Sequence, residues 1–160
     1  MENIKLINFV DLTLEEKKMI LDWRNNEDVR KWMYTQEKIK FEKHITFIDS
    51  LKLSKDKLYF LVKKDKENIG VINFTQIIAG KSLHMGIYTN PNIKGNGKIL
   101  LNTIIRYSFD NLKVKKVYSE VFSENYRAYD LYKNFNFKDI SKKIINEKEV
   151  TCMELDYENW

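Results

Sequence analysis

Residues 89–100, TNPNIKGNGKIL, constrain this chain more than any other stretch. Two of its five glycines and its only proline fall here. Before them the sequence alternates apolar and polar residues as a strand does; after them apolar residues recur at helical spacing. A strand ending at Asn90 and a helix beginning near Lys98 are therefore joined by a seven-residue turn that holds Lys94, Gly95, Asn96 and Gly97. Glycine tolerates positive φ and lets a ligand approach the backbone closely. The helix start adds unpaired N–H donors and partial positive charge. Two readings stay open: the glycines simply permit a tight connection, or the turn is a backbone cradle for an anion such as a pyrophosphate. Lys94 and Lys98 would add charge to the cradle. The pattern is neither a Walker loop nor a dinucleotide fingerprint.

The rest of the chain fits one α/β domain spanning residues 1–160. With 43% hydrophobic and 13% aromatic residues, it has enough apolar mass for a sizeable core. No run of eighteen apolar residues suits a membrane span, and the start MENIKLINFVDL does not read as a secretory signal, so a cytoplasmic protein is expected. The single cysteine, Cys152, excludes an intrachain disulfide, and it sits in an alternating stretch as filler. Two histidines and scattered carboxylates offer no metal-ligand spacing, so no metal is expected. The net charge of +5, from 28 basic and 23 acidic residues, favours anionic ligands. The lysines are dispersed and no recognition helix stands out, so neither nucleic acid nor membrane is an expected partner.

Period-two alternation predicts strands at NIKLINF near the start, at 58–64, 68–76, 82–90 and 116–122, and near 137–141 and 150–157. Thr13 and Glu16 form a capping-box pattern that opens a helix broken at Arg24-Asn25-Asn26. Further helices are predicted over 28–33, 41–53, 99–112 and 125–135. The order, strand, helices, three strands, helix, strand, helix, strands, describes a mixed α/β sandwich around one twisted sheet.

The segment Asn92–Gly97 resembles the [Q/R]-x-x-G-x-[G/A] loop of the GCN5-related N-acetyltransferases, the GNAT superfamily, with Asn92 where Gln or Arg is usual. About thirty residues on, Asn125–Phe137 resembles that family's N-x-x-A-x-x-x-Y-x-x-x-G-F segment, with Asn136 in place of glycine. Asparagine is the next-best residue for a left-handed helix cap. The resemblance implies a mostly antiparallel central sheet with a splayed strand pair and helices on both faces. It also implies acetyl-CoA as cosubstrate and direct transfer in a ternary complex. Three stretches, 21–26, 29–34 and 43–48, narrow it to members that acetylate the 4-amino group of a UDP-linked 4-amino-4,6-dideoxy sugar on the route to pseudaminic acid, a sugar used in flagellin glycosylation. Two alternatives remain: a protein N-terminal acetyltransferase of the RimJ/RimL type, and a non-catalytic CoA-binding module.

The resemblance also distributes roles. Ile87, Tyr88 and Thr89 would polarise the thioester through backbone N–H groups, while Lys94, Gly95, Asn96, Gly97, Lys98 and Asn125 would hold the coenzyme. Tyr132, one helical turn after Ala128, is the candidate proton donor to the departing thiolate. Glu120 shares a strand face with Tyr118 and Phe122, surroundings that tend to raise a carboxyl pKa, and is the candidate base. His84, on a face with Gly86 and Tyr88, would relay the proton or bond the sugar. Arg24 suits a diphosphate or a helix C-terminus equally. His44 would meet the nucleotide or pack structurally, and Trp32 and Met33 would wall a pocket for a deoxy-sugar methyl or join the core. Oligomeric state, monomer or homodimer, stays open.

Overall fold

The computed structural model describes residues 3–160. Its alternating stretches become one seven-stranded sheet in the order β1-β2-β3-β4-β5-β7-β6. The strands are β1 (Ile4–Asn8), β2 (Leu58–Lys64), β3 (Glu67–Ile78), β4 (Ser82–Thr89), β5 (Lys116–Phe122), β6 (Lys138–Ile145) and β7 (Lys148–Asp156). Every neighbouring pair is antiparallel except β4 and β5. The helices are α1 (Leu14–Asn25), α2 (Glu27–Arg30), α3 (Phe41–Ser50), α4 (Gly97–Arg106) and α5 (Tyr126–Asn134).

Alternation along β2 and β3 splits the core into two layers. Leu61 and Val71 point to one face, where they meet Phe9, Ile20 and Trp23 of the α1 side and Ile48 of α3. Phe60, Val62, Ile72 and Phe74 point to the other, against Leu100 and Ile104 of α4 and Tyr132 of α5. Helices thus cover both faces, as expected of the mixed sandwich.

Local chemistry sets the helix ends. Thr13 accepts from the Glu16 amide at 3.1 Å while Glu16 accepts from the Thr13 amide at 3.0 Å, so the expected capping box is present. Asn26 then caps α2 through the Asp28 amide. That helix is shorter than the predicted 28–33, because Arg30 turns its guanidinium back to the Asn25 carbonyl and across to that of Gln36. After α5, Asn136 takes φ +73° and the Phe137 amide donates to the Tyr132 carbonyl at 3.1 Å. The left-handed cap expected of asparagine there is realised.

Further boundaries differ from expectation. The helix predicted over 99–112 is regular only to Arg106 and widens into a π-type turn at Tyr107–Asn111. The wider turn seats Tyr107 against Phe60 and Phe74, and Phe109 against Tyr157. The last two strands run through the charged segment expected to be their turn, which shrinks to Asn146 and Glu147, both at positive φ. Strand β6 is a solvent-exposed edge, so Lys142 and Lys143 are compatible with a strand there.

Candidate active site

Strands β4 and β5 pair over three residues only, Ser82 with Lys116, Leu83 with Val117, and His84 with Tyr118. Beyond that rung β4 stays with β3 as far as Thr89 and β5 stays with β7 as far as Phe122. The sheet therefore forks, which is the splayed pair the sequence reading anticipated. The Asn90 amide donates to the Ile69 carbonyl at 2.9 Å. Antiparallel hydrogen bonding alternates, so Tyr88 and Gly86 also bond toward β3, while the amides of Ile87 and Thr89 turn into the fork. Of the three backbone groups expected there, that of Tyr88 belongs to the ladder instead. Its side chain lies on the α1–α3 face, where burial pushes its pKa well up.

The glycine turn sits at the end of β4. Gly95 has φ +88°, with nothing within 4 Å of where a Cβ would stand. Asn96 opens α4 without a side-chain cap, leaving first-turn amides available to an outside acceptor. Lys94 and Lys98 are exposed beside it. Asn125 does cap its helix, accepting from the Ala128 amide at 3.3 Å, so its side chain is engaged in ordering α5.

Tyr132 projects from α5 into the interior, where Ser119 of β5 is its polar neighbour. Burial pushes its phenol up to about 12, outweighing the smaller opposite effect of Ser119. It therefore stays protonated at every physiological pH.

Glu120 lies on the other arm, partly exposed. Its Oε2 accepts from Lys143 Nζ at 2.8 Å, and its Oε1 accepts a short hydrogen bond from the Tyr34 hydroxyl. Burial pushes the carboxyl up, but the bonds from Lys143 and Tyr34 prevail and hold it below the ordinary glutamate value. This reverses the expectation of a raised pKa, because the aromatic neighbours come with two donors. His84 stands near, its ring 5.2 Å from that of Tyr118, and burial lowers its pKa so that the imidazole is neutral at pH 7. Glu120, His84 and Tyr118, together with Cys152 and Met153, border a cavity of about 250 Å³.

Two candidates fall elsewhere. His44 is only 6% exposed, and its Nε2 meets the Lys17 carbonyl at 2.9 Å, which ties α3 to α1. Its place is within the helix interface, not at a ligand surface. Arg24 also turns inward: Nη2 donates to the Thr35 carbonyl at 3.1 Å, Nη1 is buried without a partner, and burial lowers its pKa. Its guanidinium organises the segment after α2 instead of standing open as a diphosphate clamp. Trp32 contributes, with Lys31, Glu124, Tyr126 and Lys148, to an open depression of about 430 Å³. Met33 is half-buried in the same segment.

Sequence reasoning missed Tyr34 and Lys143. One lies in an irregular loop and the other in the segment read as a turn, so neither carried a periodic signal. Among the described residues no cluster of His, Cys, Asp or Glu suits a metal ion, and no helix is long and apolar enough to cross a membrane.

A forked sheet with an uncapped glycine turn at the strand end suits a pyrophosphate-bearing thioester, and residues 18–137 match the Acetyltransferase (GNAT) family, which makes the class an acyl-CoA-dependent transferase. The chain belongs to that family and is an N-acetyltransferase using acetyl-CoA. It is 44% identical over 134 residues, 84% of each chain, to the acetyltransferase PseH of Campylobacter jejuni. The crystal structure of Campylobacter jejuni PseH in complex with acetyl coenzyme A superposes with a TM-score of 0.82, at 35% identity, over 97% of this chain and 99% of that one. Vibrio cholerae spermidine N-acetyltransferase, at 21% identity, shares the fold with a TM-score of 0.86 over 99% of this chain and 96% of that one. The cosubstrate fits what the chain offers: open space at Gly95 and uncapped α4 amides for the pyrophosphate, and the Ile87 and Thr89 amides lining the fork.

Proposed function

We propose that this protein transfers the acetyl group of acetyl-CoA to the 4-amino group of a UDP-linked 4-amino-4,6-dideoxy sugar, a step in making pseudaminic acid. The observation that carries the reading is the fork, with free backbone donors on the β4 arm and the Glu120 carboxylate on the β5 arm. Similarity to PseH supports the choice of acceptor. In this reading the amine lies beside Glu120, which accepts its proton directly or through water, with neutral His84 as relay. The Ile87 and Thr89 amides stabilise the oxyanion. Tyr132, held protonated by burial, donates to the departing thiolate. Acetyl-CoA, when bound, supplies the activated thioester. Both substrates share one cleft, so positioning lowers much of the barrier.

The nucleotide end extends along the depression at Trp32 and Tyr126. Tyr126 is 72% exposed, an aromatic surface for a uracil ring, and Lys31 and Lys148 face phosphates. Trp32 therefore serves the base in this reading, and Met33 the sugar methyl. Lys143 beside Glu120 opposes a polycationic acceptor of the spermidine kind. A cytoplasmic location follows from where acetyl-CoA and nucleotide sugars are made. The test is thiol release from acetyl-CoA with the UDP-amino sugar; protein that binds acetyl-CoA but releases none would exclude this acceptor.

A further inference from the structure

We infer that Tyr34 and Lys143 are positioning residues of the acetyl transfer, clamping the Glu120 carboxylate from two sides so that it meets the acceptor amine in one orientation and ionised. The clamp rests on the acceptor-site reading above, but its geometry is independent of which amine arrives. Each donor takes a different oxygen: Tyr34 bonds Oε1 and Lys143 bonds Oε2. A carboxylate held at both oxygens loses rotational freedom about its last torsion and leaves only its remaining lone pairs for a third partner.

The two donors arrive from separate parts of the chain. Lys143 comes from the edge strand β6, whose neighbour β7 pairs with β5. Tyr34 comes from the irregular strap between α2 and α3, which is pinned at both ends. On the helix side, Asn25 bonds the Ile39 amide at 2.7 Å and the Ile39 carbonyl at 2.9 Å, while Arg24 and Arg30 donate to the carbonyls of Thr35 and Gln36. On the sheet side, Asn146 in the β6–β7 turn donates to the Tyr34 carbonyl at 2.9 Å, and the Tyr34 ring packs edge-on against Phe122. A strap held this way fixes where the Tyr34 hydroxyl stands. It also explains the inward turn of Arg24 and Asn25, which act on the site at one remove.

The groups that face Glu120 are Tyr34 from the strap, Lys143 from β6, His84 from β4 and Cys152, its cross-strand partner on β7. Tyr34 and Lys143 both donate to the charged carboxylate, so loss of either raises its pKa.

The test follows the Glu120 side-chain carboxyl by ¹³C NMR titration in the wild type, Tyr34→Phe, Lys143→Met and Lys143→Arg. It is read alongside the acid limb of kcat/KM for thiol release. Tyr34→Phe and Lys143→Met are each expected to move the titration upward by roughly one pH unit, with the acid limb moving the same way. Lys143→Arg keeps the cation and is expected to restore the wild-type profile. A Glu120 titration unmoved by both substitutions overturns the proposal, as does an acid limb that stays put while the titration shifts. An arginine variant behaving as the methionine one overturns it too. Should the wild type release no thiol with the UDP-amino sugar, the acceptor reading alone falls, and the titration still decides the clamp.

Discussion

The side chain of Asn73 lies across Gly86, its cross-strand partner, so closely that a Cβ at position 86 would stand 2.1 Å from Asn73 Oδ1. Asn73 is also the cross-strand partner of Tyr59 on β2 and a polar neighbour of it. The bare backbone at Gly86 thus lets a polar side chain cover β4 at the point where β4 leaves β5. Gly86→Ala is expected to destabilise the fold by roughly 1–3 kcal/mol, because the contact is an overpacking one. Adding Asn73→Ala should recover part of the loss. Denaturant unfolding of the single and double variants decides it; strictly additive losses would contradict the contact.

Tyr132→Phe keeps the buried ring and removes the hydroxyl near Ser119. In the proposed mechanism kcat falls on the order of 10²-fold, while calorimetric binding of acetyl-CoA is nearly unchanged. An unaltered kcat would remove the donor role.

Lys31 and Lys148 make exposed ion pairs with Asp28 and Glu124, and their ammonium groups also lie over the rings of Trp32 and Phe122. Replacing both by serine should therefore leave the melting temperature almost unmoved. The KM for the UDP-amino sugar is expected to rise roughly tenfold, about the size of one lost charge-assisted bond, and to depend less on salt. The Kd for acetyl-CoA should hold. An equal loss for both substrates would place the nucleotide elsewhere.

Burial lowers the pKa of His44, so the folded protein takes up its proton less readily than the unfolded chain does. Stability should accordingly fall as pH drops below about 6.5. His84 is shifted the same way and adds to the effect. The carboxylates held low, Glu16 and Glu120, contribute their loss only in the more acidic range around and below their ordinary pKa. His44→Gln retains an N–H for the Lys17 carbonyl. The difference in Tm between pH 7.5 and 5.5 should shrink in this variant; an unchanged difference would assign the acid sensitivity to other groups.

Much of the fold was legible because it rests on local rules. The strands at 58–64 and 116–122 were bounded correctly, since one sheet face alternates against the other. The Thr13 capping box and the left-handed Asn136 were equally readable, each being a backbone need met within five residues. The β6–β7 turn was not, because exposed lysines on an edge strand resemble a loop. Within the candidate site, the strand position of Glu120 and the helix position of Tyr132 were legible, while their proposed roles are for the experiments above to decide. The pKa expected of Glu120 was reversed because its donors lie 86 and 23 residues away in the chain. For Arg24 and His44 a ligand role and a structural one both stayed open, because a charged or polar residue on a helix looks the same from sequence whether it faces solvent or a neighbouring carbonyl.

By itself the chain's order of residues determined periodicity, capping, and the bare amides of the glycine turn, for these depend on φ, ψ and on neighbours a few positions apart. Only the tertiary structure decided where β4 and β5 part, which amides face the gap, and that Tyr34 and Lys143 converge on one carboxylate. Those are relations between segments remote in sequence, set by packing and by an electrostatic balance that no local pattern encodes.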